Sequence, residues 1–284
     1  MTNKTILERK RINPGTKVLA YTFLLAFTFL TLMPLIWLLY SSFKLQGEIM
    51  LFPFGLPKNP TIENYLSAWK LGNMGMAAFN SIFYTSVATI ITIFLSLSIG
   101  FSLTKFGYKS AKIYYSLFTL GLLITVNSVI APLFVLETNI GLYNTRLGVI
   151  LPYIAFGLPM AVLLSTSYIR GIPDSLIEAA VIDGATYMQI FNKIIIIICS
   201  PVLATIAILT FLKNWNEFIL VFILTSGENM RSLPVSINSF AGRLNVNYGM
   251  QFAALVIGTL PMILFYIVAH DLLIKGFGEG ALKE

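Results

Sequence analysis

The chain has 284 residues, of which 57% are hydrophobic and only 11% charged, and its mean hydropathy is +0.82. Soluble domains carry about 25% charged residues, so this composition excludes a soluble globular protein and points to a chain that lives in a bilayer. The net charge of +7 does not signal nucleic acid, because the basic residues are scattered between apolar stretches and form no patch interleaved with aromatics. In chain order, six uncharged runs follow one another: Val18 to Phe43, Leu71 to Thr104, Ile113 to Leu136, Leu147 to Ile169, Ile194 to Leu212 and Leu244 to His270. Each supplies the roughly 18 residues that cross about 30 Å of hydrocarbon at about 1.5 Å per residue. The expectation is an all-α membrane protein of six spans. The first run is a full span behind a long basic stretch with no small-x-small site after it, which reads as a retained helix and not a cleaved leader.

The basic residues test that count, because loops on the cytoplasmic side should hold the excess of Lys and Arg. Twelve fall in the terminal segments and the loops after spans two and four, against six (Lys44, Lys58, Lys70, Arg146, Arg231 and Arg243) in the alternate set, with Lys213 inside a span. This split places both termini in the cytoplasm. It divides the chain into a cytoplasmic segment 1–17, a transmembrane domain 18–274 and a cytoplasmic tail 275–284.

The first outer loop, Lys44 to about Gly75, holds Pro53, Pro57 and Pro60 with Gly47 and Gly55, which predicts an extended, turn-rich crossing. Tyr65 to Trp69 then reads as a short helix at the headgroup level. The second outer loop, about Thr225 to Gly249, is polar and long enough to touch a soluble partner. No internal repeat is evident, which speaks against an inverted-repeat carrier.

Between spans four and five lies a segment, about 171–193, in which Ser175 with Glu178 and Thr186 with Gln189 each fit a capping box. Gly184 stands between them, where a helix end needs positive φ. The spacing predicts helix, glycine turn, helix at the cytoplasmic surface, with Ala179 and Ala180 as small residues that another protein could approach closely.

The spelling Glu178-Ala-Ala, three residues, Gly184, nine residues, Ile194 resembles the EAA motif of permease subunits of bacterial ABC importers. The wider string with Asp183, Ala185, Thr186, Gln189 and Phe191 resembles the carbohydrate branch that contains the maltose-type permeases. Asn144-Thr-Arg-Leu-Gly148 with Leu151-Pro152, Trp215-Asn-Glu-Phe218, Leu233-Pro-Val235, Lys275-Gly276 and Gly280-Ala281 extend the likeness from about residue 15 to the end. The chain departs from the pattern at Ile196 and Ile197, where Leu-Pro is common, with Pro201 four residues later. The sequence therefore does not guarantee the helix kink of that family.

The resemblance implies a type I ABC importer permease fold in a bacterial inner membrane. It implies a second homologous permease subunit, two copies of a cytoplasmic ATPase that bind ATP and Mg, and an extracytoplasmic sugar-binding protein. This chain would bind no cofactor or metal and would hydrolyse nothing, consistent with the lack of GxxxxGK[ST], GxSxG and HExxH strings. Glu178, Ala179, Ala180, Asp183, Gly184, Ala185 and Thr186 would form the contact with the ATPase, and Lys275 to Glu284 a second one. The cargo would be a mono- or oligosaccharide; a polyol, glycerol phosphate or sugar derivative is the alternative. An ion-coupled secondary carrier would leave the cytoplasmic helix pair without a task.

Span five carries Lys213, Asn214, Trp215, Asn216 and Glu217, and a mid-span charge costs about 2.5–3.5 kcal/mol on insertion scales. Lys213 and Glu217, four apart, could pair at the interface between permeases, or the cluster could line the sugar path with Trp215 as a stacking ring. The resemblance weighs against the path, since in the maltose importer the sugar site lies chiefly on the other permease. Asn127, Ser128, Pro132 and Glu137 in span three and Pro152, Gly157 and Pro159 in span four mark helices suited to kinking. His270 with Asp271 has no further ligand nearby and reads as interfacial, and Cys199 as a small apolar residue.

Overall fold

The computed structural model describes residues 14–241 and 247–281, with side chains from 15 to 241 and from 247 to 267. The N-terminal segment to residue 13, Arg243, and the side chains of His270, Asp271 and Lys275 lie outside the described residues. Helix α1 (Pro14–Ser41) is the first apolar crossing, followed by the short helices α2 (Gln46–Leu51) and α3 (Glu63–Leu71). Asn73, at φ +46°, turns the chain from α3 into α4 (Met74–Lys105), so Leu71 belongs to the short helix and not to span two.

Span three is not the single straight helix expected over Ile113 to Leu136. It is a pair, α5 (Ala111–Gly121) and α6 (Val126–Asn139), bent by 100°. A Cβ on Gly121 would stand 3.0 Å from the Pro159 ring, so the end of α5 abuts the next crossing closely. Thr125 then takes an extended conformation as the N-cap of α6. Helix α7 (Arg146–Arg170) runs unbroken through Pro152 and Pro159, and Thr145 caps it by accepting the Gly148 N–H.

After α7 come α8 (Asp174–Ile182), α9 (Tyr187–Ile190), a π-helical turn over Phe191–Ile195, α10 (Ile196–Ile198) and α11 (Ser200–Trp215). The stretch Tyr187–Ile198 meets α11 at 76°. Span five, expected as one run from Ile194 to Leu212, is thus a bent pair whose second arm starts at Ser200, and the kink that the Ile196-Ile197 spelling left open is present. Pro201 supplies the reason: it has no N–H for the Ile197 carbonyl and its ring crowds that oxygen. Beyond α11 stand α12 (Ile219–Leu224), a 3-10 turn at Glu228–Met230, α13 (Leu233–Asn238) and α14 (Tyr248–Ala281). Counting each bent pair as one crossing gives six, with α1, α4, α7 and α14 the unbroken ones.

The core is the α4–α7 pair, joined by small residues as membrane helix contacts require. A Cβ on Gly100 would come within 2.8 Å of Ser165 Oγ and 3.1 Å of Thr166 N. Ser165 Oγ donates to the Ser96 carbonyl at 2.7 Å. Gly157 opposes the methyls of Thr92 and Thr210, bringing α11 against the same seam. By contrast, the apolar stretch of α1 buries nothing. On α6 the single buried residue is Glu137, whose Oε2 lies over the first turn of α7, 2.8 Å from where a Gly148 Cβ would be.

At the α13 end of the bundle the chain is stitched by buried polar groups. Lys44 donates to the carbonyls of Phe52 and Pro53 at 3.1 and 3.0 Å, and its burial pulls its pKa down while nearby Glu48 pushes it back up. The short helix expected at Tyr65 to Trp69 is present as α3, and Asn64 ties it to the chain before it by donating to the carbonyls of Ser42 and Lys44. The described part of the second outer loop is also packed back on the bundle. Asn80 donates to the carbonyls of Asn229 and Arg231, Tyr84 to that of Met230, Ser81 Oγ accepts the Leu233 N–H, and Ser236 Oγ donates to the Gly72 carbonyl.

Candidate functional site

The helix–turn–helix at the other end is built from local rules. Helix α8 ends in a Schellman arrangement: the Gly184 N–H bonds the Val181 carbonyl at 3.0 Å and the Ala185 N–H bonds the Ala180 carbonyl at 2.9 Å. Gly184 sits at φ +82°, where a Cβ would be strained although no atom lies within 4 Å of it. Thr186 then opens α9 with both bonds of a capping box, its side chain accepting the Gln189 N–H and Gln189 Oε1 accepting the Thr186 N–H. The second expected capping box does not form. Helix α8 begins one residue before Ser175, with Pro173 at the N-cap, and the acid of its first turn is Asp174. Glu178 is thereby left exposed and uncommitted to its own backbone.

Facing follows from the helical period. Ile177 points inward with Phe101, Ile169, Ile190, Phe191 and Ile195, and Ala180 and Ala185 pack at the edge of that cluster. Ala179, Asp183, Gly184 and Thr186 are exposed, and so is Glu178, which with Ile182 borders an open cleft beside the end of α4. With them stand apolar side chains the sequence reading had not singled out: Ile182 is 85% exposed and Met188 67%. Burying an Ile completely is worth about 1.5–3 kcal/mol, so this face is suited to contact with another protein surface. The signal was present in the pattern, because Glu178 and Ile182, four apart, share a stripe about 100–140° around the helix from Ile177.

The span-five cluster does not come together. Lys213 and Glu217 make no direct ion pair: Lys213 Nζ donates to the Phe156 carbonyl at 2.5 Å, while both oxygens of Glu217 receive the Leu220 N–H at 3.0 and 3.1 Å. The cause is the end of α11 at Trp215, which puts Glu217 beyond the helix and at the start of α12 instead of one turn above Lys213. Asn214 and Trp215 are buried, with Trp215 stacked on Phe211 at 5.8 Å and Phe211 in turn on Phe265 at 4.1 Å. Asn216 is exposed, and together with the indole edge it lines a cavity of about 460 Å³ shared with Leu233, Asn238, Gln251 and Thr259. Among the described residues, no group of His, Cys, Asp and Glu is placed to hold a metal ion.

Residues 93–278 match the family described as binding-protein-dependent transport system inner membrane component. The chain is 32% identical to the diacetylchitobiose uptake system permease protein NgcG of Streptomyces coelicolor over 93% of this chain and 88% of that protein. It is 31% identical to the multiple sugar-binding transport system permease protein MsmG of Streptococcus mutans over 89% and 92%. The fold is similar to that of a chain in the crystal structure of a bacterial ABC transporter involved in the import of the acidic polysaccharide alginate. The TM-score is 0.80 at 22% identity, over 92% of this chain and 98% of that one.

Proposed function

Because the chain belongs to the family of binding-protein-dependent transport system inner membrane components, we propose that it is the permease subunit of an ABC importer that carries a sugar across the membrane. The cargo reading is supported by relatives named for diacetylchitobiose and multiple sugars. The subunit works beside a second permease, receives sugar from a binding protein outside, and is driven by two ATPase subunits that hold ATP and Mg. It binds no cofactor itself and has no catalytic residue. Both termini are cytoplasmic, in line with the excess of Lys and Arg on that side.

One observation carries the coupling role: a helix–turn–helix that leaves Glu178, Ala179 and Ile182 exposed while Ile177 anchors it. This is the surface that meets the ATPase. Glu178 supplies charge, Ala179 and Ala180 close approach, and Asp183, Gly184, Ala185 and Thr186 set the angle between the two helices. In span five, the exposed Lys213 and Asn216 stand at the interface with the second permease or on the sugar path, with Asn214, Trp215 and Glu217 holding the helix end in place.

The test is a Gly184→Trp variant in the reconstituted importer. It inserts normally, since the space around Gly184 is open, but sugar uptake falls at least tenfold, within the usual range of coupling between sites. Normal uptake by a well-expressed Gly184→Trp protein would overturn the coupling role.

A further inference from the structure

We propose that Lys105 is a positioning residue for transport: it clamps the corner between α7 and α8 onto the end of α4, and displacement of α8 reaches the α4–α7 seam through it. This rests on the coupling role given above to the helix–turn–helix.

Lys105 is the last residue of α4, and its Nζ donates to the Ile172 carbonyl and to Asp174 Oδ1, each at 2.6 Å. Ile172 follows the end of α7, and Asp174 is the first residue of α8. One ammonium on a third helix therefore grips both sides of the corner. The two partners differ sharply in environment, the Lys105 side chain being 5% exposed and that of Asp174 77%. An exposed ion pair holds little, but an ammonium withdrawn from water must keep its acceptors, so the carbonyl bond is the constraint and the carboxylate its supplement.

A second attachment serves α9. Tyr187, its first residue, meets the Phe106 ring edge-on at 5.0 Å; Phe106 meets Phe101 at 5.3 Å, and Phe101 meets Phe191 at 5.9 Å. Between the two attachments the segment stands off from α4 around a cavity of about 640 Å³ lined by Thr104, Gly107, Glu178, Ile182 and Tyr187. Force on α8 thus enters α4 through these attachments and through Ile177, packed in one cluster with Phe101, and the first lies five residues from Gly100, where α4 closely approaches α7. No part of the sequence reading marked Lys105 except as one more cytoplasmic cation.

The experiment measures sugar uptake and ATP hydrolysis together in proteoliposomes holding the complete importer. Lys105→Met is expected to assemble with the ATPase in normal stoichiometry and to hydrolyse ATP, while uptake per ATP falls about tenfold. Lys105→Arg, which keeps donors for both acceptors, restores most of the ratio; a merely structural role would instead lower the amount of assembled complex and leave the ratio alone. Unchanged uptake per ATP in Lys105→Met overturns the clamp. If Lys105→Met fails to accumulate, Lys105→Gln decides, since its shorter, uncharged amide cannot serve both acceptors: the ratio falls roughly two- to tenfold, and an unchanged ratio overturns the proposal. The Gly184→Trp variant separates the two ideas. Uncoupling by Gly184→Trp without any by Lys105→Met removes the clamp alone, whereas full coupling in Gly184→Trp removes the coupling reading and the clamp with it.

Discussion

The two irregular segments at opposite ends of the bundle, the helix–turn–helix of α8 and α9 and the loop that contains α13, are made of similar residues yet are held in opposite ways. The α13 loop is bound by side chains of its neighbour: Asn80, Ser81 and Tyr84 of α4 reach its backbone, and Leu233, Val235 and Ser236 are buried. The α8–α9 segment is organised by its own backbone, through the Schellman bonds at Gly184 and the capping box at Thr186, and it leaves a face uncovered. A loop wired into a neighbouring helix moves only with that helix. A self-supporting one attached at a few points can be pushed as a unit, which is what a docking element needs.

The largest effect that would break this contrast comes from the exposed face. Ile182→Gln keeps a good helix former at a surface position and should leave the unfolding midpoint unchanged, while weakening capture of the ATPase roughly thirtyfold for about 2 kcal/mol of lost burial. Pull-down at graded ATPase concentration measures it, and a simultaneous fall in thermal stability would show that Ile182 belongs to the core after all. Next in size, Asn80→Ala removes the donor to two part-buried carbonyls, two bonds worth about 0.5–1.5 kcal/mol each, and should cost about 1–3 kcal/mol of stability. Thermal unfolding in detergent reads this, and uptake should fall only in proportion to folded protein. The smallest effect sharpens the comparison: Thr186→Ala removes one cap, about 1 kcal/mol, and should raise amide exchange over Tyr187–Ile190 without touching the α13 loop. Spread of the effect to residues 229–236 would mean that the two ends are one cooperative unit.

The sequence was most legible where one period or one backbone rule acts alone. Six uncharged runs predicted six crossings, and Gly184 with Thr186 and Gln189 predicted a turn that the backbone carries as expected. It was least legible where helices meet. In Ile113 to Leu136 the kink-prone Asn127, Ser128 and Pro132 lie inside α6, past the 100° bend, while the bend itself falls where Gly121 approaches Pro159, far away in the chain. Pro201 did announce the second bend, but only once the helix is known to run up to it. Lys213 and Glu217 satisfied the i, i+4 rule on paper, yet the helix ends between them at Trp215. Lys105 and Asp174 are 69 residues apart, a separation over which no local pattern could pair them.

The π-helical turn at Phe191–Ile195 has a consequence of phase. Such a turn closes its hydrogen bonds one residue further on than an α-helix does, so it stores a single extra residue between α9 and the crossing that follows. Tightening that turn into plain α-helix with every residue kept would wind the extra residue into the helical phase. Every side chain on the α9 side would then be rotated by about 100° relative to α11. Ile190 and Phe191 would leave the core, and the face now turned outward would be a different one. The angular setting between the exposed helix pair and the membrane bundle is thus written in the length of one turn rather than in the identity of any side chain.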